Sequence, residues 1–340
     1  MHMADALISP AVGGTMWAAT AGLIAWCAKK VKELHDDRLV PMMGVLGAFI
    51  FTAQMINFTI PATGSSGHLG GGLLLAVLLG PHAAFLVMAS ILTVQALFFA
   101  DGGLLALGCN IFNLGFFPAF VAYPLIYRVL VKNPQNRLRL WSGSILSAVI
   151  GLQLGAFAVV LETMASGISD LSFGTFVLLM QPIHLAIGVV EGLATAAVVS
   201  FVVYARPEAV HSTERPVMTR RALTGLILTA VLLGGVASWF ASGKLDGLEW
   251  SLEKTTGREE LAAPEEGIHS NLAQLQEKTA FLPDYTFKVG ETEPDLPEEH
   301  EAAWPAVDAG TSLSGLLGGL ITLAAAAGIG YSLRTRHKNE

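Results

Sequence analysis

The amino-acid sequence predicts an all-α integral membrane protein. Hydrophobic residues make up 53% of the 340 residues and charged residues only 14%, whereas about a quarter of the residues in a soluble domain are charged. Apolar runs of the length that crosses a bilayer as a helix recur along the chain. We predict about nine transmembrane helices, in segments 10–28, 41–60, 69–79, 82–100, 111–131, 140–164, 173–204, 223–241 and 313–333.

The third apolar segment, 69–79, is short. It begins at the glycine run 70–72 and ends before Gly80-Pro81. Glycine and proline interrupt helices, and a segment of this length does not cross a bilayer as an upright helix. We expect either a short tilted helix or a re-entrant piece that is buried in protein.

Positive charge is concentrated at alternate ends of the predicted helices. Lys and Arg cluster in segments 29–38, 128–139, 206–221 and 334–338. Basic loops of this kind stay in the cytoplasm. We therefore predict a multi-pass protein of the cell inner membrane, with an extracytoplasmic N-terminus and a cytoplasmic C-terminus. Met1, the His68 loop, the turn at Asp101 and segment 242–312 then share the extracytoplasmic face.

Acidic residues are concentrated in one segment. The chain has a net charge of −7, and segment 242–312 alone contains 16 Asp and Glu residues against 5 Lys and Arg residues. Its Glu- and Pro-rich composition argues against a large core of its own. We expect a small extracytoplasmic domain or a partly ordered loop, which either concentrates cations or is simply solvated. Basic and aromatic residues do not cluster as a nucleic-acid surface requires.

Several classes of enzyme are disfavoured by the sequence. It contains no P-loop, no His-Glu-x-x-His pattern and no nucleophile elbow. Cys27 and Cys109 lie in apolar segments without a partner at redox or metal spacing. We predict that the chain is not an enzyme and that any ATP hydrolysis occurs in partner subunits.

The first two residues offer an unusual metal chelate. A free amino terminus followed by histidine supplies the Met1 amine, the deprotonated His2 amide and a His2 ring nitrogen. The first five residues lack a basic signal-peptide region and a cleavage site, so we expect Met1 to be the mature terminus. Four nitrogens in a plane suit Ni(II) or Cu(II). A frayed N-terminus without a role is the alternative.

His68 is the candidate fourth ligand. It lies in Pro61–Gly72, where glycine and serine permit an irregular loop that folds inward. The predicted topology puts this loop on the same membrane face as Met1 and His2. A lone loop histidine often has no role, so the metal site depends on this juxtaposition.

Polar residues in the apolar spans either bond neighbouring helices or support the candidate site. His184 and Glu191 are seven residues apart and therefore share one helix face. An intramembrane enzyme that uses this pair is a third hypothesis, ranked after a transporter and a metal sensor. We expect Asp101 to shape its turn or to bond the backbone of the binding loop. The candidate supporting residues around the metal ligands are Asn57, Ser66, Gln95 and Asp101. The small residues Gly14, Ala18, Gly22 and Ala25 permit close helix packing, for which internal packing is favoured over docking of another subunit.

Four stretches together resemble the CbiM/NikM family, the substrate-binding membrane components of energy-coupling-factor (ECF) transporters for nickel and cobalt. They are MHMADALISP at 1–10, GHLGGG at 67–72, QALFFADGG at 95–103 and IHLAIGVVEG at 183–192. The segments KLDGLEW at 244–250, LPDY at 282–285 and TSLSGLLG at 311–318 resemble the small PDGLE-type, NikN-like accessory subunit. Leu245 stands where that motif has its first proline.

The resemblance implies a domain organisation. Residues 1–205 would form the metal-binding membrane domain with seven helices, 206–221 a cytoplasmic linker, and 222–340 a two-helix accessory domain containing extracytoplasmic segment 242–312. It also implies that the Met1 amine, the His2 amide and ring, and His68 hold the ion.

The resemblance implies partners as well. A transmembrane coupling subunit (EcfT/NikQ-like) and ATPase subunits (NikO-like) would drive uptake, with membrane lipid around the helices. The ion is the transported substrate and not a cofactor. The accessory part favours Ni(II) over Co(II), and a membrane metal sensor that does not transport is the alternative of another class.

Overall fold

The computed structural model describes residues 2–169, 171–204, 218–259, 261–264, 266–288 and 304–334, and most of them are helical. One short antiparallel ribbon pairs β1 (Phe58–Thr59) with β2 (Ser66–Gly67). The helices are α1 (Pro10–Glu33), α2 (Leu39–Gln54), α3 (Gly72–Leu79), α4 (Pro81–Phe99), α5 (Leu107–Leu130), α6 (Arg137–Ser166), α7 (Phe173–Tyr204), α8 (Arg220–Gly235), α9 (Gly247–Thr256), α10 (Ile268–Thr279) and α11 (Ala309–Ser332).

The predicted membrane class is confirmed. Six helices of the described chain are long and apolar enough to cross a bilayer, namely α1, α4, α5, α6, α7 and α11. The three other predicted spans coincide with the shorter helices α2, α3 and α8. The protein is therefore a multi-pass helical membrane protein, and the count of nine spans stays a prediction.

The short α3 is buried along its whole length. The chain nevertheless passes from one end of the bundle to the other between His68 and Pro81. At the start of α4 the His82 ring lies 4.7 Å from Trp26, near the basic end of α1, whereas Asp101 beyond the other end of α4 contacts His2. An irregular stretch followed by a short helix thus takes the place of a full-length span, with the irregular backbone buried in protein.

Close helix packing depends on small residues. A Cβ atom at Gly192 of α7 would overlap the backbone of Ile145 in α6, and one at Gly315 of α11 would overlap the carbonyl oxygen of Gly234 in α8. In membranes such small residues let helix backbones approach closely. They join α6 to α7 and, at the other side of the bundle, α8 to α11.

The acidic segment is partly helical. It contains α9 and α10, and α9 begins with a capping box in which Asp246 accepts from the N–H of Glu249 and Glu249 accepts from the N–H of Asp246. The described part packs against the loops of the membrane domain, and residues 260, 265 and 289–303 lie outside it. Residues 206–217 of the predicted linker and the tail 335–340 are also outside the described chain.

Within the described chain, the small-residue face of α1 does not pack internally, contrary to the favoured expectation. Gly14, Ala18, Gly22 and Ala25 are all exposed on the surface of the bundle. A Cβ atom at Gly14 or Gly22 would meet nothing within 4 Å. The sequence pattern identifies a face suited to close packing, but it does not show whether that partner belongs to the same chain.

We predict that Gly315→Ala lowers the thermal unfolding midpoint of the purified protein in detergent. The added methyl group overlaps the backbone of Gly234, and overpacking of this kind costs about 1–3 kcal/mol. Gly328→Ala on the same helix is the matched control, because a Cβ atom there meets nothing within 4 Å and alanine favours the helix. Equal midpoints for the two variants would contradict the packing.

Candidate metal centre

The N-terminal segment is tied to the helix bundle immediately after His2. The backbone N–H of Met3 donates to Oδ1 of Asn110 over 2.8 Å, and the Met3 carbonyl accepts from Asn110 Nδ2 and from the N–H of Gly103. Termini fray unless they are bonded in this way. The side chain of His2 is consequently held at the end of the bundle and is only 7% exposed. Met1 lies outside the described residues.

His68 follows β2 in the predicted binding loop. Its Nδ1 lies 3.0 Å from the carbonyl oxygen of Leu69, so the Nδ1–H donates to this oxygen and Nε2 keeps a free lone pair. Loss of hydration lowers the pKa of the His68 ring to about 3, and neighbouring His2 adds to the effect. The ring is therefore neutral at ordinary pH, as a metal ligand must be.

The structure brings His2 and His68 together. Their rings are nearly parallel, at 6°, with centroids 5.1 Å apart. A ligating imidazole nitrogen lies about 2 Å from its metal ion, so rings this close can share one ion once a ring turns to aim its nitrogen at it. In the described chain no three His, Cys, Asp or Glu side chains form a group that could hold a metal ion. A site here needs nitrogens of the backbone as well as the two rings.

The binding loop is held from inside the bundle by three buried side chains. Glu191 accepts a hydrogen bond from the N–H of Gly70 over 2.8 Å, and Gln54 Nε2 donates to the Gly70 carbonyl over 2.9 Å. Gln95 Nε2 donates in turn to Oε1 of Gln54 over 3.0 Å. Both backbone polar groups of Gly70 are thereby paired, which non-helical backbone at this depth requires.

Close packing requires glycine in this part of the loop. Gly71 has φ +78°, and a Cβ atom there would lie 2.6 Å from Ile50. A Cβ atom at Gly72 would overlap the carbonyl oxygen of Leu114 in α5. Larger residues would push the loop out of the bundle and displace His68 from His2.

Asp101 contacts the His2 side chain. Its Oδ1 lies 3.0 Å from His2 Nδ1, and its Oδ2 accepts from the hydroxyl of Tyr285. Burial alone would raise the pKa of Asp101, but the His2 ring and the Tyr285 hydroxyl stabilise the carboxylate and hold its pKa well below the usual range. The backbone N–H of Asp101 also donates to the Gln95 carbonyl and closes the turn after α4, as the sequence suggests.

The two other predicted supporting residues bond the acidic segment. The Asn57 carbonyl accepts from the N–H of Ser242 over 2.8 Å. Ser66 donates its N–H to the Leu245 carbonyl over 2.8 Å and its hydroxyl to the Lys244 carbonyl over 2.7 Å. Asn57 and Ser66 therefore hold the binding loop against segment 242–312.

His184 and Glu191 do not form a pair. His184 Nδ1 donates to the Met180 carbonyl one turn earlier in α7, and its Nε2 has no hydrogen-bond partner within the described chain. Glu191 bonds Gly70 of the loop. The seven-residue spacing correctly places both on one helix face, but their partners differ.

The predicted supporting residues leave out four side chains that bond the site. Asn110 anchors Met3, Glu191 and Gln54 pair the backbone of Gly70, and Tyr285 contacts Asp101. The first three carried a signal, because a polar side chain in an apolar span needs a partner. Tyr285 carried none, since 184 residues separate it from Asp101.

Comparison with known proteins identifies the family to which the chain is similar. Residues 2–209 match the family model CbiM, described as a cobalt uptake substrate-specific transmembrane region, and residues 220–335 match the PDGLE domain. A putative fused nickel transport protein, NikMN, of Archaeoglobus fulgidus is 32% identical over 98% of each chain. A probable fused nickel transport protein, LarMN, of Lactiplantibacillus plantarum is 34% identical over 76% of this chain and 80% of its own.

A solved structure agrees with the fold of the first part. A crystal structure of a transition metal transporter matches with a TM-score of 0.54 and 32% identity, and the match covers 61% of this chain and 95% of that one. The family model extends over more than half of the chain, and the fused relative from Archaeoglobus fulgidus over nearly all of it. The chain therefore belongs to the CbiM family of substrate-specific membrane components for cobalt uptake and carries a PDGLE domain in the same polypeptide.

Proposed function

We propose that this protein captures Ni(II) at the extracytoplasmic face of the membrane and is the substrate-specific component of an ATP-driven ECF-type transporter. Co(II) is the alternative cargo. The observation that carries the proposal is the approach of His2 and His68, whose rings are 5.1 Å apart although 66 positions separate them. They meet beside the N-terminus, where the backbone amine and the His2 amide would complete a chelate.

In the proposed site four nitrogens surround the ion. They are the Met1 amine, the deprotonated His2 amide, a His2 ring nitrogen and His68 Nε2. The amine and amide share one short chelate, which favours a plane and hence Ni(II) over Zn(II), an ion that prefers a tetrahedron. Cu(II) binds such ligands more tightly still, so the availability of metal ions contributes to selectivity.

The fused architecture favours nickel. Both fused relatives described above are named for nickel transport, and their similarity extends into the accessory part. In this chain that part lies against the binding loop through Ser66 and Leu245. We infer that domains 1–205 and 222–340, joined by linker 206–221, form one functional unit.

Loop charge supports the proposed orientation. Arg334 after α11 pairs with Asp37 between α1 and α2, at the end of the bundle that carries the basic segment 29–38. The His2 and His68 end is opposite. By the positive-inside rule the basic end is cytoplasmic, so capture occurs outside and the N-terminus is extracytoplasmic.

Uphill uptake needs energy from partners. The chain has no P-loop, so ATPase subunits and a transmembrane coupling subunit are required. Among the six long apolar helices of the described chain, α1 is the least buried. Only 17% of its most hydrophobic stretch lies inside the protein. Its small-residue face permits close approach of another helix, and we assign the coupling subunit to it.

We predict that His2→Ala weakens Ni(II) binding by at least about a hundredfold, and that His68→Ala does the same. Each substitution removes one proposed ring ligand, and loss of a ligand exceeds the effect of losing an outer partner. Calorimetry with Ni(II) and Co(II) on the purified protein measures both affinities and their order. His35→Ala, an exposed histidine at the other end, is the control. Tight binding by His2→Ala would refute the site.

Glu191→Gln is expected to weaken Ni(II) binding about tenfold, because an amide oxygen is a poorer acceptor for the Gly70 N–H than a carboxylate. The control is Glu162→Gln, which alters a buried carboxylate that bonds Asn113. A role of Glu191 in intramembrane catalysis would instead leave the affinity unchanged.

We expect Gly22→Trp to abolish co-purification of coexpressed coupling and ATPase subunits while the Ni(II) affinity stays unchanged, since the substitution blocks the exposed face of α1. Leu178→Trp, on the 73% exposed position of α7, is the control and retains both properties. A metal sensor that does not transport would co-purify with neither partner even as wild type.

A further inference from the structure

The acidic segment contacts every loop that builds the candidate site. The Leu245 carbonyl accepts from the N–H of Ser66, and His269 Nε2 lies 2.9 Å from the carbonyl of Ile8. Gln276 Nε2 donates to the carbonyl of Gly102 over 2.8 Å. These bonds reach the binding loop, the N-terminal segment and the turn after α4. The site therefore lies at the junction of the two family regions of the chain.

One accessory residue reaches a side chain that touches a proposed ligand. The Tyr285 hydroxyl donates to Oδ2 of Asp101, whose Oδ1 lies 3.0 Å from Nδ1 of His2. The three residues form a continuous chain of contacts from the accessory part to the His2 ring. His2 is 7% exposed and Asp101 23%, so water competes weakly for these bonds.

Tyr285 is itself held firmly. Its ring stacks on Phe99 with centroids 5.1 Å apart and 17° between the planes, and its carbonyl accepts from the Ser314 hydroxyl over 2.9 Å. The backbone supports an unusual turn, because Asp284 and Tyr285 have φ +50° and +62°. Residues other than glycine adopt this region at an energetic cost, and such conformations persist only where surrounding structure enforces them. The turn places the Tyr285 hydroxyl within hydrogen-bond distance of the Asp101 carboxylate.

The chemistry of the chelate makes the orientation of the His2 ring decisive. The ring nitrogen that joins the His2 amide on one ion is Nδ1, because Cα, Cβ and Cγ connect the two in a small ring, whereas Nε2 is out of reach. In this structure Nδ1 faces Asp101, and Nε2 is buried without a hydrogen-bond partner in the described chain. Binding therefore requires the imidazole to turn about Cβ–Cγ, after which Nε2–H donates to Asp101. Carboxylates that accept from a ligating histidine in this way fix its orientation and raise its basicity.

We propose that Tyr285 is a positioning residue of the metal site, through which the PDGLE part sets the orientation of the His2 ring and hence the Ni(II) affinity. The inference rests on the proposed function. Tyr285 fixes Asp101 by occupying one carboxylate oxygen, so that the other oxygen stays aimed at His2 before and after the ring turns.

The test is Tyr285→Phe in the full-length protein, which keeps the stacking on Phe99 and removes only the hydroxyl. Calorimetry is expected to show Ni(II) binding weakened about tenfold to a hundredfold, while the metal-free protein keeps its fold and unfolds in one cooperative thermal transition. The absorption spectrum of bound Ni(II) stays that of a planar nitrogen site. Tyr331→Phe, on a 63% exposed tyrosine of α11, is the control.

A double-mutant cycle separates positioning from general loosening. If Tyr285 acts through Asp101, then Asp101→Asn and Tyr285→Phe are not additive when combined. His269→Ala removes another accessory contact and is expected to change affinity less than Tyr285→Phe. Wild-type affinity in Tyr285→Phe, additive effects, or a loss matched by His269→Ala would each overturn the inference. Wild-type protein that does not bind Ni(II) would instead overturn the proposed function.

Discussion

The structure depends on keeping an irregular backbone satisfied inside a helix bundle. Residues 69–71 form irregular backbone at the level of the helices, where water is scarce and each unpaired backbone group costs several kcal/mol. Glu191 and Gln54 pair the N–H and the carbonyl of Gly70. Because these acceptors and donors come from α7 and α2, the position of His68 is set by the packing of the whole bundle.

The need to pair backbone polar groups also explains why the acidic segment packs against the loops at this end of the bundle. The loops at this end expose carbonyl and N–H groups that regular structure does not pair. The acidic segment bonds them at Ser66, Ile8 and Gly102. Its residues Asp246 and Gly247 also line the cavity beside His68. Hydrogen bonds and charge interactions in such a partly buried site are stronger than in water.

The helices were predictable from the sequence because apolar run length directly reflects bilayer thickness. The approach of His2 and His68 was predictable because the distribution of basic loops puts both on one membrane face. Contacts between specific side chains were not. Nothing in local periodicity links Tyr285 to Asp101, since that contact depends on how α8 and α11 pack against α2 and α4. The exposed face of α1 shows a second limit of sequence-based prediction. A pattern of small residues identifies a surface suited to close packing, but it does not identify what packs against that surface.

Charge balance relates the proposed ligands to Asp101. A divalent ion bound to one deprotonated amide and three neutral nitrogens retains a single positive charge. Burying that charge is costly unless an opposite charge lies beside it. Asp101 supplies the negative charge from 3.0 Å beyond the His2 ring, and its depressed pKa keeps it ionised. As a neighbour and not a ligand, it would leave the proposed plane of four nitrogens intact, and a second carboxylate, Asp246, lines the cavity beside His68.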